Sequence, residues 1–160
     1  MKVGHPELEI ADQAVTALRG RLGKRLIAVV LFGSRALGRA STASDWDMLV
    51  IAEKLPEKAF QRHVFLRRFL PPGCSEAVSL LARTPEEFES HLPSLYLDIA
   101  VDGQILYDSS GYAAKKLAEL RDLIDRMGLY REQTEGGDIW RWRSEPTGAW
   151  ALDWGRQECR

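Results

Sequence analysis

Apolar and polar residues follow two different rhythms along this chain, and the changes of rhythm mark out its elements. Leu26-Ile27-Ala28-Val29-Val30-Leu31-Phe32 is an unbroken apolar run that stops at Gly33, and Met48-Leu49-Val50-Ile51 is a second. Runs of this kind, with no polar positions, predict strands buried on both faces over 25–32 and 46–52. Upstream, Leu8, Ile10, Ala14, Val15 and Leu18 recur at helical spacing behind Pro6, and Gly20 and Gly23 close that face. Pro56 opens a second helix to about Phe69, with Phe60, Val64, Phe65 and Phe69 on its apolar side and Arg62, Arg67 and Arg68 outside. Pro71-Pro72-Gly73 ends it, and Glu76 to Leu81 reads as a third strand. Thr84-Pro85-Glu86-Glu87 is a capping box with proline at the first helical position. Apolar residues from Leu92 to Ile99 predict a short helix, Asp102-Gly103 a turn, and Gln104 to Tyr107 a short strand. Helical periodicity returns over 111–127 through Leu117, Leu120, Leu123, Ile124 and Met127.

The last segment alternates. Ile139-Trp140-Arg141-Trp142-Arg143 and Ala149-Trp150-Ala151-Leu152-Asp153-Trp154 flank the turn Glu145-Pro146-Thr147-Gly148, which predicts a hairpin entered through a Gly136-Gly137 linker. Its tryptophans can serve as a stacking platform flanked by Arg141 and Arg143. They can equally cover the body or form a dimer contact, and aromatics pack more often than they recognise.

With 160 residues, 45% hydrophobic and 28% charged, the chain reads as one ordinary globular domain with an appendage, a core over 1–108 and an extension over 109–160. A net charge of −1 disfavours sequence-independent nucleic-acid binding. Cys74 and Cys159 are unpatterned and read as reduced thiols, and His5, His63 and His91 lack the spacing of zinc ligands. A signal-peptide pattern and a membrane-length apolar run are both lacking, so the expected setting is cytoplasmic, with no membrane partner.

The chemistry is concentrated where the first buried strand ends. Leu31-Phe32-Gly33-Ser34-Arg35-Ala36-Leu37-Gly38 leaves that strand through a Gly-Ser turn, and Ser44-Asp45-Trp46-Asp47 enters the next. A turn of small residues lets backbone N–H groups approach an anion, and a helix beginning there adds a favourable dipole. Asp45 and Asp47, two apart on a strand, project to the same side. Two neighbouring carboxylates suit Mg²⁺, which takes one or two protein carboxylates and completes its shell with phosphate and water. Turn and carboxylates together can hold a nucleoside triphosphate and its metal.

At these residues the chain resembles the minimal nucleotidyltransferases of the DNA polymerase β superfamily. Gly33-Ser34 matches the Gly-Ser turn, Ala36 and Gly38 its small residues, and Ser44-Asp45-Trp46-Asp47 its Ser-Asp-x-Asp strand; the likeness extends loosely from Arg25 to Tyr107. Leu37 stands where the family often has arginine, with Arg35 and Arg39 close enough to replace it, and Trp46 is bulkier than the usual residue but faces away from the carboxylates. The resemblance implies an α/β fold of the polymerase β-like type: a mixed central sheet with helices packed on one side, followed here by the C-terminal helix and hairpin. It implies Mg²⁺ or Mn²⁺, two ions of it, and transfer of a nucleoside monophosphate, AMP from ATP, to a hydroxyl. Asp45 and Asp47 would be catalytic metal ligands, and Gly33, Ser34, Arg35 and Ser44 would bind nucleotide.

Family members usually carry a further carboxylate on the neighbouring strand. Counting back from Thr84 places that position near Ser79, which cannot serve, and Glu76 is the one carboxylate on the predicted strand, at the wrong parity unless a bulge corrects it. Three readings follow. One is a nucleotidyltransferase with Glu76 as third carboxylate, whose acceptor could be a helical HEPN-type protein partner as in toxin–antitoxin pairs, or which pairs as a homodimer. Another is a catalytically silent nucleotide-binding or partner-binding module with an incomplete metal triad. The last, an enzyme acting on nucleic-acid ends, is disfavoured by the neutral charge.

Overall fold

The computed structural model describes residues 6–147 and 152–154. Helix α1 (Pro6–Leu22) leads through a 3-10 turn into β1 (Leu26–Phe32), and β2 (Trp46–Ala52) returns antiparallel beside it. Then come α3 (Ala59–Arg67), after the single turn α2 (Gly33–Ala36) between the strands, and a second single turn, α4 (Cys74–Ala77). Strand β3 (Val78–Arg83) runs parallel to β2, and β4 (Gln104–Asp108) antiparallel to β1, in the order β3-β2-β1-β4. Between β3 and β4 lie α5 (Pro85–Ser90) and α6 (Ser94–Asp102); α7 (Tyr112–Arg126) and the pair β5 (Leu129–Thr134) and β6 (Gly137–Trp142) follow.

The two apolar runs form the central strands because their residues are buried on both sides. Val29, Leu31, Met48 and Val50 pack against Ala11, Ala14, Leu18 and Leu22 of α1 and Leu66 of α3. Ala28, Val30, Leu49 and Ile51 pack against Phe88, Tyr96, Ile99, Leu117 and Leu120 of α5, α6 and α7. Helices therefore cover both faces, where the resemblance implied one. Helix α7, on the extension side of residue 108, is part of this second core.

Thr84 forms the expected capping box, its hydroxyl accepting from the Glu87 N–H while Glu87 accepts from the Thr84 N–H. The second helix differs from expectation: it begins at Ala59 rather than Pro56, Phe60 is 78% exposed and Arg62 is buried. Arg62 reaches across the edge of β3, donating to the carbonyls of Ala82 (3.1 Å) and Pro56 (2.8 Å) and to both carboxylate oxygens of Glu87. Helical spacing cannot distinguish a solvated arginine from one that satisfies carbonyls at a sheet edge.

The hairpin is also rearranged. Strand β6 pairs with β5 upstream, with Trp140 opposite Arg131 and Trp142 opposite Leu129. Of the expected return strand, 149–151 lie outside the described residues and 152–154 form no strand. Trp140 and Trp142 pack on Leu97, Ile124 and Leu129, and Trp154 packs on Phe88 while donating to the carbonyls of Phe88 and His91. These tryptophans cover the body. Among the described residues, no helix is long and apolar enough to cross a membrane.

Candidate functional site

Strand β1 ends at Phe32, and the chain turns at once through Gly33 with φ +73° into α2. That left-handed conformation favours glycine, and so does the space: a Cβ here would lie 2.5 Å from Asp47 Oδ2. Phe32 and Asp47 are cross-strand partners, which places the Asp47 carboxylate directly against the turn. The loop folds back by hydrogen bonds from the Leu37 N–H to the Gly33 carbonyl (3.3 Å) and from the Arg39 N–H to the Ser34 carbonyl (2.9 Å). Asp45 is exposed just before β2, and Asp47 is half-buried on it. Burial, and secondarily the charge of Asp45, raise the Asp47 carboxyl above its ordinary value. A cation held beside Asp47 would offset the repulsion that the Asp45 charge exerts on it.

A cleft of about 380 Å³ opens beside this turn, lined by Phe32, Gly33, Ser34, Leu37 and Arg39 and, on its other side, by residues of α6, β5 and β6. Among the latter, Arg131 donates to Asp98 Oδ1 (3.3 Å) and forms a two-pronged pair with Asp102, while Asp138 stands 3.6 Å from its Nε. None of these last four was anticipated from sequence, whereas Gly33, Ser34 and Arg39 on the facing side were. Asp98 and Asp102 share a helical face with Leu95, but their meeting with Arg131 depends on how β5 docks.

The remaining site candidates fall elsewhere. Arg35 points to the loop: its guanidinium donates to the Ser44 carbonyl (2.9 Å) and the Ser41 carbonyl (3.3 Å) and lies 4.5 Å over the Trp46 ring. Trp46 belongs to the core on the α1 side, opposite in strand parity to Asp47, so Arg35 clamps the loop while Arg39 lines the cleft. Ser44 accepts from the Ser41 N–H (3.0 Å) and is a turn residue in this arrangement. Glu76 departs further from expectation. It lies in α4 rather than on the strand, which starts at Val78, because Cys74 is buried there with its thiol toward the Ile10 carbonyl and pins that turn to α1. Ser79 is the residue that pairs with Asp47 across the parallel strands. Among the described residues, no three His, Cys, Asp or Glu side chains gather to hold a metal ion, so Glu76 does not join Asp45 and Asp47.

The chain has relatives in both sequence and fold. The chain is 29% identical over 122 residues to MJ1305 of Methanocaldococcus jannaschii, named as a candidate protein adenylyltransferase, covering 74% of this chain and 83% of the relative. A toxin–antitoxin crystal structure with AMP-PNP aligns with TM-score 0.54 at 18% identity, over 72% of this chain and 86% of the other. A complex of a tri-AMPylated Shewanella oneidensis HEPN toxin with its MNT antitoxin aligns with TM-score 0.51 at 16% identity, over 75% and 87%. Residues 12–122 match the nucleotidyltransferase domain family, a span that contains the Gly33 turn, both aspartates and the whole four-stranded sheet, and the chain belongs to that family.

Proposed function

We propose that this enzyme transfers AMP from Mg·ATP to a hydroxyl group of a protein partner. The observation that carries the reading is the contact between Gly33 and the Asp47 carboxylate at the edge of the cleft, which puts an anion-accepting turn and a cation-accepting pair side by side. The donor set fits Mg²⁺: Asp45 and Asp47 offer one or two carboxylates, and the nucleotide phosphates and water supply the rest. Bound there, the ion neutralises charge on the phosphates.

The protein's own share is positioning and electrostatics. Gly33 and Ser34 hold the β- and γ-phosphates, and Arg39 adds a positive charge beside them. The acceptor oxygen bonds to the α-phosphorus, the bond to the β-bridging oxygen breaks, and pyrophosphate leaves. The hydroxyl proton goes to water. With serine at position 79, no third carboxylate among the described residues joins Asp45 and Asp47 to take that proton, and lack of a positioned base costs on the order of 10²–10⁴ in rate. The expected enzyme is a slow one. A protein acceptor is supported by the name of the 29%-identical relative and by apolar Leu37 and Leu95, exposed at 40% and 36% where they line the cleft. A helical HEPN-type partner is supported by the toxin–antitoxin complex of like fold.

Calorimetry tests the site. Mg·ATP binds the wild type, and Asp45→Asn with Asp47→Asn abolishes that binding; unchanged affinity in the double variant overturns the assignment. Transfer of label from α-labelled ATP to a co-purified partner tests the reaction. Among the described residues no three carboxylates gather, and this favours a second reading, a silent nucleotide-binding module. Tight Mg·ATP binding with no pyrophosphate released in the partner's presence selects it.

A further inference from the structure

The two sides of the cleft are chemically unlike. One carries Gly33, Ser34 and Arg39; the other carries Asp98 and Asp102 of α6, Arg131 of β5 and Asp138 of β6. The hairpin residues lie beyond residue 122, where the family match ends. Arg131 holds this side together: Nη2 donates to Asp102 Oδ1 (3.1 Å), Nη1 to Asp98 Oδ1 (3.3 Å), and the guanidinium lies 5.8 Å over the Trp140 ring. Trp140 Nε1 donates to the same Asp98 Oδ1 (3.0 Å).

We propose that the Asp98–Arg131–Asp102 assembly, with Asp138, positions the nucleoside end of the bound nucleotide, making the β5–β6 hairpin a specificity-determining wall of the site. The proposal rests on the nucleotide-transfer reading above. Three carboxylates around one guanidinium leave a surplus of negative charge, which repels phosphates and directs them toward Gly33, Ser34 and Arg39. The ribose hydroxyls and the adenine amino group are hydrogen-bond donors, which carboxylates accept. Asp98 is placed to do so: both its bonds fall on Oδ1, and Oδ2 has none among the described residues. Phe32, Leu37 and Leu95 give the cleft the apolar lining that a base requires. Arg131 is the positioning residue, since it holds carboxylates that would otherwise repel each other.

Tripolyphosphate separates the two sides because it carries the phosphates without a nucleoside. Calorimetry with Mg·ATP and Mg·tripolyphosphate is run on the full chain, as wild type, Arg131→Met and Asp98→Asn. The wild type binds ATP at least tenfold more tightly than tripolyphosphate. Each variant loses about tenfold toward ATP, one hydrogen bond to a charged group, and keeps its tripolyphosphate affinity. Asp98→Asn conserves shape and one acceptor oxygen, so it carries the test if Arg131→Met does not fold. The part of the tryptophan emission that Trp140→Phe removes changes on adding ATP and stays unchanged with tripolyphosphate. Equal wild-type affinity for both ligands, or wild-type ATP affinity in folded Asp98→Asn, overturns this proposal and leaves nucleotide transfer standing. Binding of neither ligand overturns both.

Discussion

Replacing Gly33 by alanine adds a single methyl group, and the structure says what it meets. The new Cβ would sit 2.5 Å from Asp47 Oδ2, where ordinary contact begins at 3.4 Å, so the carboxylate retreats by roughly 1 Å. A displacement of that size at a reacting centre costs on the order of 10²-fold in rate. Separately, an L-residue at φ +73° carries about 1–2 kcal/mol of left-handed strain, which lowers stability without touching the site. Gly38 supplies the control: it has φ +68°, and a Cβ there finds nothing within 4 Å. Both Gly33→Ala and Gly38→Ala should lose about 1–2 kcal/mol in urea titrations. Only Gly33→Ala should lose about 10²-fold in AMP transfer, measured as label incorporated into the partner at saturating Mg·ATP. Equal activity of the two variants, whether both normal or both impaired, would refute the claim that Gly33 sets the position of Asp47.

Glu76→Gln should leave both Mg·ATP affinity and transfer at wild-type levels, because Glu76 lies on the turn packed against α1; a loss of tenfold or more would return it to the site. Ser79→Asp, opposite Asp47 on the neighbouring strand, should tighten Mg²⁺-dependent ATP binding in calorimetry, and weaker binding would show that the pair already completes the donor set. Arg62→Ala should cost about 2 kcal/mol in urea titrations, since it strips partners from the Ala82 and Pro56 carbonyls and from Glu87; a change within experimental error would make the cluster incidental. Arg62 holds the Glu87 carboxyl below its ordinary 4.5, outweighing the opposing effect of burial, so the stability Glu87 contributes is present above pH 4.5 and lost as the pH falls through its lower folded value. The stability gap between wild type and Glu87→Gln should therefore narrow in acid below pH 4.5, and a gap that widens there contradicts the pairing.

Elements whose signal is local were legible in the sequence alone. The strands expected over 25–32 and 46–52 lie within a residue of β1 and β2, because strands buried on both faces show as near-continuous apolar runs. Thr84 announced its helix because a capping box is made from residues three apart. Gly33, Asp45 and Asp47 stood out for the same reason, since one turn and one strand entry hold them all. What depended on distant neighbours could not be read there. Arg62 looked solvent-facing until β3 and α5 brought it carbonyls and Glu87. Trp140 and Trp142 belonged to a hairpin in either reading, but its partner strand, Leu129–Thr134, is mixed in pattern and became a strand by pairing and by covering Leu97 and Ile124. Glu76 was given a strand by its neighbours in sequence and lost it to the turn that Cys74 anchors on α1. The second side of the cleft is the extreme case: Asp98 and Arg131 are 33 residues apart, and only the docking of the hairpin on α6 brings their charges together.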